Sequence, residues 1–379
     1  MWKGPDLLGG GHKVAWSEIC VPKEEGGLGV KDLVVWNKCA MLKHLWCLCG
    51  GAAESVWTSW VKRYLIRGRS IWHMPCPSTC SWSFRKLLGM RDLVRDRFRY
   101  VVGKGTSISL WNDLWHPVGR LVDVYGERMI YDSGLSRHAK VAEVISEGSW
   151  KWPPARSFAL LDLFASTPSS FKPDVASEDR LVWEDDARGL FSIRCAWNVF
   201  RTQRARVPWF RSVWFPKAIP KHAFILWLAI RRALATQVRL LSFGLLASMK
   251  CVFCGIERED VDHLFFSCSF AEKIRFILLS MCGLPICTRD WNGTISWSFK
   301  FHGSHLRYVV MRLMLAAAVY FIWRERNARM HGHPCRGESM VIDDICFAVR
   351  CQVNLLRDVD SQWINKELQH SWGFSDCIF

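Results

Sequence analysis

Acidic residues are missing from two long stretches of this chain. There is no Asp or Glu between Glu54 and Asp92, and none between Asp186 and Glu257. The first interval carries Lys62, Arg63, Arg67, Arg69, Arg85, Lys86 and Arg91, and the second carries twelve Lys or Arg. A solvated charged face normally mixes signs, so a one-signed run favours a surface that meets a polyanion. Long hydrophobic runs are scarce too. The most apolar one, Tyr308 to Trp323, is too short for a bilayer span and contains Arg312, so no membrane segment is expected. Lys3, Gly4, Pro5 and Asp6 interrupt any apolar start, so no signal peptide is expected here. The Gly26-Gly27-x-Gly29 cluster lacks a Gly-Lys-Ser/Thr ending and a preceding apolar strand, so it is not read as a phosphate loop. No internal repeat is visible.

Other residue types are abundant. Half of the 379 residues are apolar, 22 are Trp, and the net charge is +16. That length leaves room for two or three small domains. Buried indoles need a partner for their N–H. The charge suits RNA or DNA, although basic chains exist that bind nothing specific. Sixteen Cys in a chain this long do not read as a disulfide scaffold. A reducing intracellular compartment is expected, nuclear or cytoplasmic, with most thiols free.

The periodicity is mainly helical. From Lys31 onward, Leu33, Val34, Trp36, Met41, Leu42, Leu45 and Trp46 fit one helix. Val101-Val102, the Gly103-Lys104-Gly105 turn, Ile108 and Leu110 read as a β-hairpin, and 181–193 as a second one turning at 185–189. Ser192 is placed to cap a helix over 194–202. Helices are also expected over 305–331 and 338–370, after a loop beyond Gly283. Between Glu54 and Asp92, Trp57, Trp60, Trp72 and Trp82 are interleaved with the basic residues. Two readings stand there: contact with phosphates and bases, or tryptophans in a core beneath a basic surface. Trp209, Trp214 and Trp227 could serve as base-stacking platforms, but they sit among apolar neighbours and read as core.

One stretch carries metal-ligand residue types at metal-ligand spacing: Cys251-x2-Cys254-x8-His263-x4-Cys268. Two intervening residues let a tight turn aim both thiolates at one point, and Gly255 lets the backbone fold back. His263 and Cys268 complete a Cys3His set, the shell of one structural zinc with no position left for catalytic water. The other reading is a group of buried free cysteines with a core histidine. Positions 263 and 268 lie roughly 140° apart around a regular helix, so a short turn is expected there. A new helix should follow, with Ser269 and Glu272 as its capping box. The acid-free run leads into this motif, and Arg201, Arg204, Arg206, Arg211, Lys217, Lys221, Arg231, Arg232 and Arg239 are its candidate nucleic-acid contacts.

Several motifs resemble the region C-terminal to the polymerase of plant LINE-type (non-LTR) retrotransposon reverse transcriptases. They are Val14, Trp16, Cys20, Pro22, Lys23, Gly26, Gly27, Leu28, Gly29 and Leu33; Gly103, Gly105, Ile108, Trp111, Asp113 and Trp115; and Trp183, Gly189, Phe191 and Ser192. To these add Trp214, Pro220, Lys221, Phe224 and Trp227, then Cys251, Cys254, Glu259, His263, Leu264, Phe265 and Cys268, and the Ile322-Trp323-x-Glu325-Arg326-Asn327 segment. The resemblance runs roughly from Lys13 to Gly332. It implies a post-thumb remnant over 1–60, a connecting region over 61–180, a zinc-binding domain over 181–283 and a C-terminal helical region over 284–379. It also implies that the polymerase and RNase H parts lie outside this chain.

A polymerase palm would need carboxylates for two metal ions. Asp185-Asp186 falls in an expected turn. Asp343-Asp344 follows Ile342 and Val341 where the family has an aromatic residue, and lies after the zinc motif. Neither pair reads as a metal site, and no Cys is introduced by a nucleophile turn. The expectation is a mainly α protein with small β-hairpins (α+β) and no enzyme activity. It would be a zinc-stabilised, sequence-non-specific RNA- or DNA-binding module without a small-molecule substrate. The competing expectations are a structural module that docks on a reverse transcriptase core, and a relic without selected function.

Overall fold

The computed structural model describes residues 14–51, 55–242, 250–284, 290–298 and 305–379. The start of the chain, where no signal peptide is expected, and most of the loop beyond Gly283 lie outside these residues. The described residues are mostly helical, with few short strands. They form two compact units: a continuous one, Lys31–Thr202, and a split one, Met1–Val30 with Gln203–Phe379.

The continuous unit contains helices α1 (Leu33–Leu48), α2 (Val56–Val61), α3 (Trp82–Leu88) and α4 (Ile193–Phe200). Its strands are β1 (Phe98–Val101), β2 (Ile145–Ser146), β3 (Ser149–Trp150) and β4 (Arg180–Trp183). Asp32 caps α1 by accepting from the Val34 N–H at 2.8 Å, and Ser192 caps α4 by accepting from the Cys195 N–H at 3.0 Å. The core gathers around Phe98, whose ring meets Trp46, Trp72, Trp183 and Phe191. Three buried indoles find the partner their polarity requires, whereas that of Trp197 does not. Trp72 donates to Asp113 at 2.8 Å, Trp111 to the Ser136 carbonyl at 2.9 Å and Trp115 to the Leu110 carbonyl at 2.9 Å.

The two expected hairpins are corrected by the strand pairing. β1 pairs antiparallel with β4, some eighty positions away, in the register Phe98 with Trp183 to Val101 with Arg180. The cause is Asp179. Its carboxylate accepts from the Gly103, Gly105 and Ser107 N–H groups at 3.0, 2.7 and 2.8 Å. The glycine turn is thus wrapped on a distant carboxylate, and the strand before it is delivered to 180–183. Ile108 and Leu110 bond instead to Val141 and Ala139. At 185–189 the turn forms, with Gly189 in the left-handed region at φ 69°, but no second strand follows. A local hairpin does exist, between β2 and β3.

The split unit holds α5 (Pro220–Ile230), α6 (Ser269–Met281), α7 (Leu306–Met330), α8 (Glu338–Val353) and α9 (Trp363–Trp372). Pro220 sits at the first turn of α5, where its missing N–H costs nothing. The amphipathic stretch 338–370 is two helices rather than one, interrupted near Asp358, whose φ is 58°. At 25 residues α7 exceeds the apolar run read from the sequence and is long and apolar enough to cross a membrane. Yet 72% of its apolar window is buried in the unit, so it serves as a core helix. α5, α6, α8 and α9 pack on it. The Gly26 loop docks on α5: the Gly26 carbonyl accepts from Trp227 Nε1 at 2.9 Å and from Arg231 at 3.1 Å. Two motifs 200 positions apart in the sequence therefore meet in one unit.

Candidate metal centre

Residues 250–258 form a small knuckle. The Cys251 N–H donates to the Glu257 carbonyl and the Gly255 N–H to the Cys251 carbonyl, both at 2.8 Å. Gly255 has φ 69° with open space where a Cβ would sit, so its requirement is conformational rather than steric. The second half of the motif solves the five-residue problem with a π turn, His263–Ser267. The Cys268 N–H bonds the His263 carbonyl at 2.8 Å, an i to i+5 bond that brings 268 over 263. α6 then begins with Cys268 as its N-cap, so the capping residue is one earlier than Ser269 and the Ser269–Glu272 capping box does not form.

These two devices bring all four side chains together. The Cys251, Cys254 and Cys268 sulfurs and a His263 nitrogen lie within 4.8 Å of one another. Cys251 Sγ is 3.8 Å from Cys268 Sγ, and Cys254 Sγ is 3.4 Å from His263 Nε2. A tetrahedral zinc with Zn–S bonds of about 2.3 Å needs sulfur–sulfur edges of about 3.8 Å. The donor set and its spacing therefore fit zinc. Cys251, His263 and Cys268 are buried and Cys254 is half-buried. The Cys251 thiol is pushed up first by its hydrogen bond to Cys268 and then by burial, while accepting that bond lowers Cys268.

The surroundings hold four polar residues that sequence reasoning did not assign to the site: Glu257, Glu259, Arg326 and Gln237. Glu257 places a carboxylate oxygen 2.9 Å from His263 Nδ1, although outside hydrogen-bond geometry. A carboxylate behind a metal-facing imidazole orients the ring and raises its basicity. Arg326 of α7 donates to Glu259 through Nε at 2.9 Å and Nη2 at 2.5 Å. Glu259 is 0% and Arg326 4% exposed. Gln237 adds its backbone N–H at 3.0 Å and its side-chain amide at 3.3 Å. This buried pair fastens the knuckle to the core helix. Phe253 stacks on Phe270 at 4.3 Å, with Arg329 over both rings. Both Glu259 and Arg326 stood in the motifs, but nothing in the sequence links positions 67 apart.

The nine basic candidates do not form one cluster. Arg201 belongs to the continuous unit, where it lies over Trp197 at 4.9 Å. Arg204 and Arg231 both pair with Glu18, Arg206 pairs with Glu24 at 3.0 Å, and Arg232 pairs with Asp262 at 2.6 Å. The stretch that lacks acids in sequence is supplied with them in space, from 18–24 and 262. Burial would raise the Glu18 carboxyl, but hydrogen bonds from Arg204 and Arg231 hold it below the ordinary value. Arg239 bonds the Arg232 carbonyl. Lys221 lies over Tyr320, while Arg211 and Lys217 line a cleft with Trp214, Phe215, Arg312 and Arg357.

The Asp-Asp pairs have structural partners. Asp185 pairs with Arg97 at 2.6 Å, and Asp186 accepts from the Arg188 N–H at 3.0 Å. Asp344 pairs with Arg324 and Arg336.

Residues 191–274 match a family model described as zinc-binding in reverse transcriptase, and all four metal-ligand candidates fall inside that match. The chain is also 26% identical over 271 residues to a curated Arabidopsis thaliana protein named for ribonuclease H. That alignment covers 68% of this chain and 42% of the relative, so the chain spans about two-fifths of the relative's length. No solved structure matches the chain.

Proposed function

We propose that this chain is a zinc-stabilised, non-catalytic nucleic-acid-binding module, similar to the part of a plant LINE-type reverse transcriptase that follows the polymerase. The convergence of Cys251, Cys254, His263 and Cys268 carries the reading. A closed Cys3His shell supplies structure: it would tie the knuckle to the N-terminus of α6 and leave no position for a reacting water. The match over 191–274 supports the same assignment. The relative named for ribonuclease H is consistent with association with nucleic acid.

Charge supplies the rest, with a net +16 over the chain. Among the nine candidates, Arg211, Lys217 and Lys221 have no carboxylate partner among the described residues and remain the phosphate-contact candidates in the split unit. The test is a titration of the zinc-loaded chain with single-stranded and duplex oligonucleotides at several salt concentrations. Affinity should fall with salt, with a slope of roughly −0.7 per phosphate contact on single strands and −0.9 on duplex. Phosphate contacts carry little sequence information, so the loss should be similar across sequences. Absence of binding at low salt would replace this reading with that of a module docking on a reverse transcriptase core.

A further inference from the structure

The first acid-free interval, 55–91, behaves differently from the second. Residues 55–91 contain seven Lys or Arg and no Asp or Glu. Among the described residues, none of Arg63, Arg67, Arg69, Arg85 and Lys86 pairs with a carboxylate, whereas four arginines of the split unit do. Here Trp57, Trp60, Tyr64 and Trp82 are exposed as well, while Trp72 and Phe84 are buried. α2 runs straight into a π turn, Lys62–Ile66. Thr58, Val61 and Ile66 turn into the core. Trp57, Trp60 and Tyr64 follow each other at i, i+3 and i+7, the spacing of one helix face. They are 40%, 51% and 50% exposed, beside a core in which Trp46, Trp72 and Trp183 are buried around Phe98.

This row is extended and flanked by charge. His44 meets Trp57 edge-on at 5.1 Å, and Trp60 lies 5.6 Å from Tyr64. Arg63 sits over the Tyr64 ring at 5.8 Å. The Arg67 side chain bonds the Tyr64 carbonyl at 2.9 Å, and Arg69 bonds the Leu65 carbonyl at 2.9 Å. Those bonds hold both guanidinium groups at the end of the aromatic row. Arg67 also sits at φ 53°, a left-handed conformation uncommon for a residue with a side chain.

A ligand for this face must offer both negative charge and flat π surfaces. We propose that the α2 face of the continuous unit binds single-stranded nucleic acid. Trp57, Trp60 and Tyr64 stack on bases, and Arg63, Arg67 and Arg69 meet the phosphates. This rests on the nucleic-acid reading given above and names the surface for it. A duplex keeps its base faces stacked inside and offers this row nothing. Steps of three to four residues along a helix are about 4.5–6 Å, wider than the roughly 3.4 Å between stacked bases, so the strand lies opened out. An apolar protein partner would bury these arginines without acids and is disfavoured for that reason.

The experiment uses the full zinc-loaded chain with oligo-dT, the same oligonucleotide with abasic sites, an oligo-U of equal length and a dA–dT duplex. Wild-type protein should prefer the base-bearing single strand to the abasic one by roughly 5- to 150-fold per stacked base. The Trp60→Ala/Tyr64→Ala variant should lose most of that preference and keep its salt slope. Both residues are exposed, so circular dichroism and zinc content should stay unchanged. Arg63→Ala/Arg67→Ala should do the reverse: keep the preference and flatten the slope by about 1.4 for two contacts. The oligo-U arm assigns RNA or DNA preference. If wild-type binds but treats abasic and base-bearing strands alike, or if Trp60→Ala/Tyr64→Ala leaves the preference intact, this surface is wrong while the nucleic-acid reading stands. No binding to any of the four probes overturns both.

Discussion

Replacing Glu259 with Ala should be among the most damaging substitutions in the split unit. The carboxylate is fully buried and accepts from Arg326 twice and from Gln237 twice. Removing it leaves a guanidinium that is 4% exposed without a counter-ion. Breaking a buried pair by deleting one partner costs about 3–5 kcal/mol. For a unit of ~200 residues each kcal/mol lowers Tm by roughly 2–4 °C, so a fall of roughly 6–20 °C is expected. Replacing both residues with Met removes the stranded charge, and the double variant should regain most of the loss. Thermal or urea unfolding of the wild type, both single variants and the double variant, all zinc-saturated, gives the coupling directly. Glu259 lies between Cys254 and His263 in sequence, so zinc transfer to a chelator should also speed up in the Ala variant. A cost below about 1 kcal/mol, or losses that simply add in the double variant, would refute the assignment of this pair as the fastening between knuckle and core helix.

Further outcomes are expected at two other carboxylates. Glu257→Gln should weaken zinc retention by about 10- to 100-fold in a chelator competition while the fold is kept; unchanged retention would show that the carboxylate near His263 has no part in holding the ring. Asp179→Asn should cost about 1–2 kcal/mol by stranding the Ser107 N–H against an amide. Burial would raise the Asp179 carboxyl, but bonds from Ser107, Gly105 and Gly103 outweigh it and lower it below 3.8. A depressed value means the stability is fully present above the unfolded value and is lost as pH falls through the lower folded one. The gap between wild type and Asp179→Asn in urea unfolding should therefore stay constant near neutrality and close only in strong acid.

What could be read from the sequence was local. The Cys3His spacing, the Ser192 cap and the core position of Trp227 depend on residues within a turn or two of each other, or on periodicity, whereas Trp209 and Trp214, expected in the core, are only half-buried against it. The strand pairing was not legible, because one carboxylate at Asp179 outweighs the local turn signal at 103–105. The turn between 263 and 268 was expected from their spacing, but its π form was not. Charge was misleading as well. Glu18 sits 186 positions before Arg204, so the acid-free run looked more one-signed than its surroundings are. In the interval 55–91, Arg63, Arg67, Arg69, Arg85 and Lys86 form no ion pair among the described residues, and there the exposed rings of Trp57, Trp60 and Tyr64 become visible only once burial is known.

Zinc K-edge absorption spectroscopy of the purified chain reads the shell built by Cys251, Cys254, His263 and Cys268. One zinc per chain is expected, with three sulfurs at about 2.3 Å and one nitrogen at about 2.0 Å. His263→Ala should remove the nitrogen shell or the metal itself. A chain prepared in the presence of zinc that holds none, or that shows a shell dominated by oxygen, would contradict that assignment.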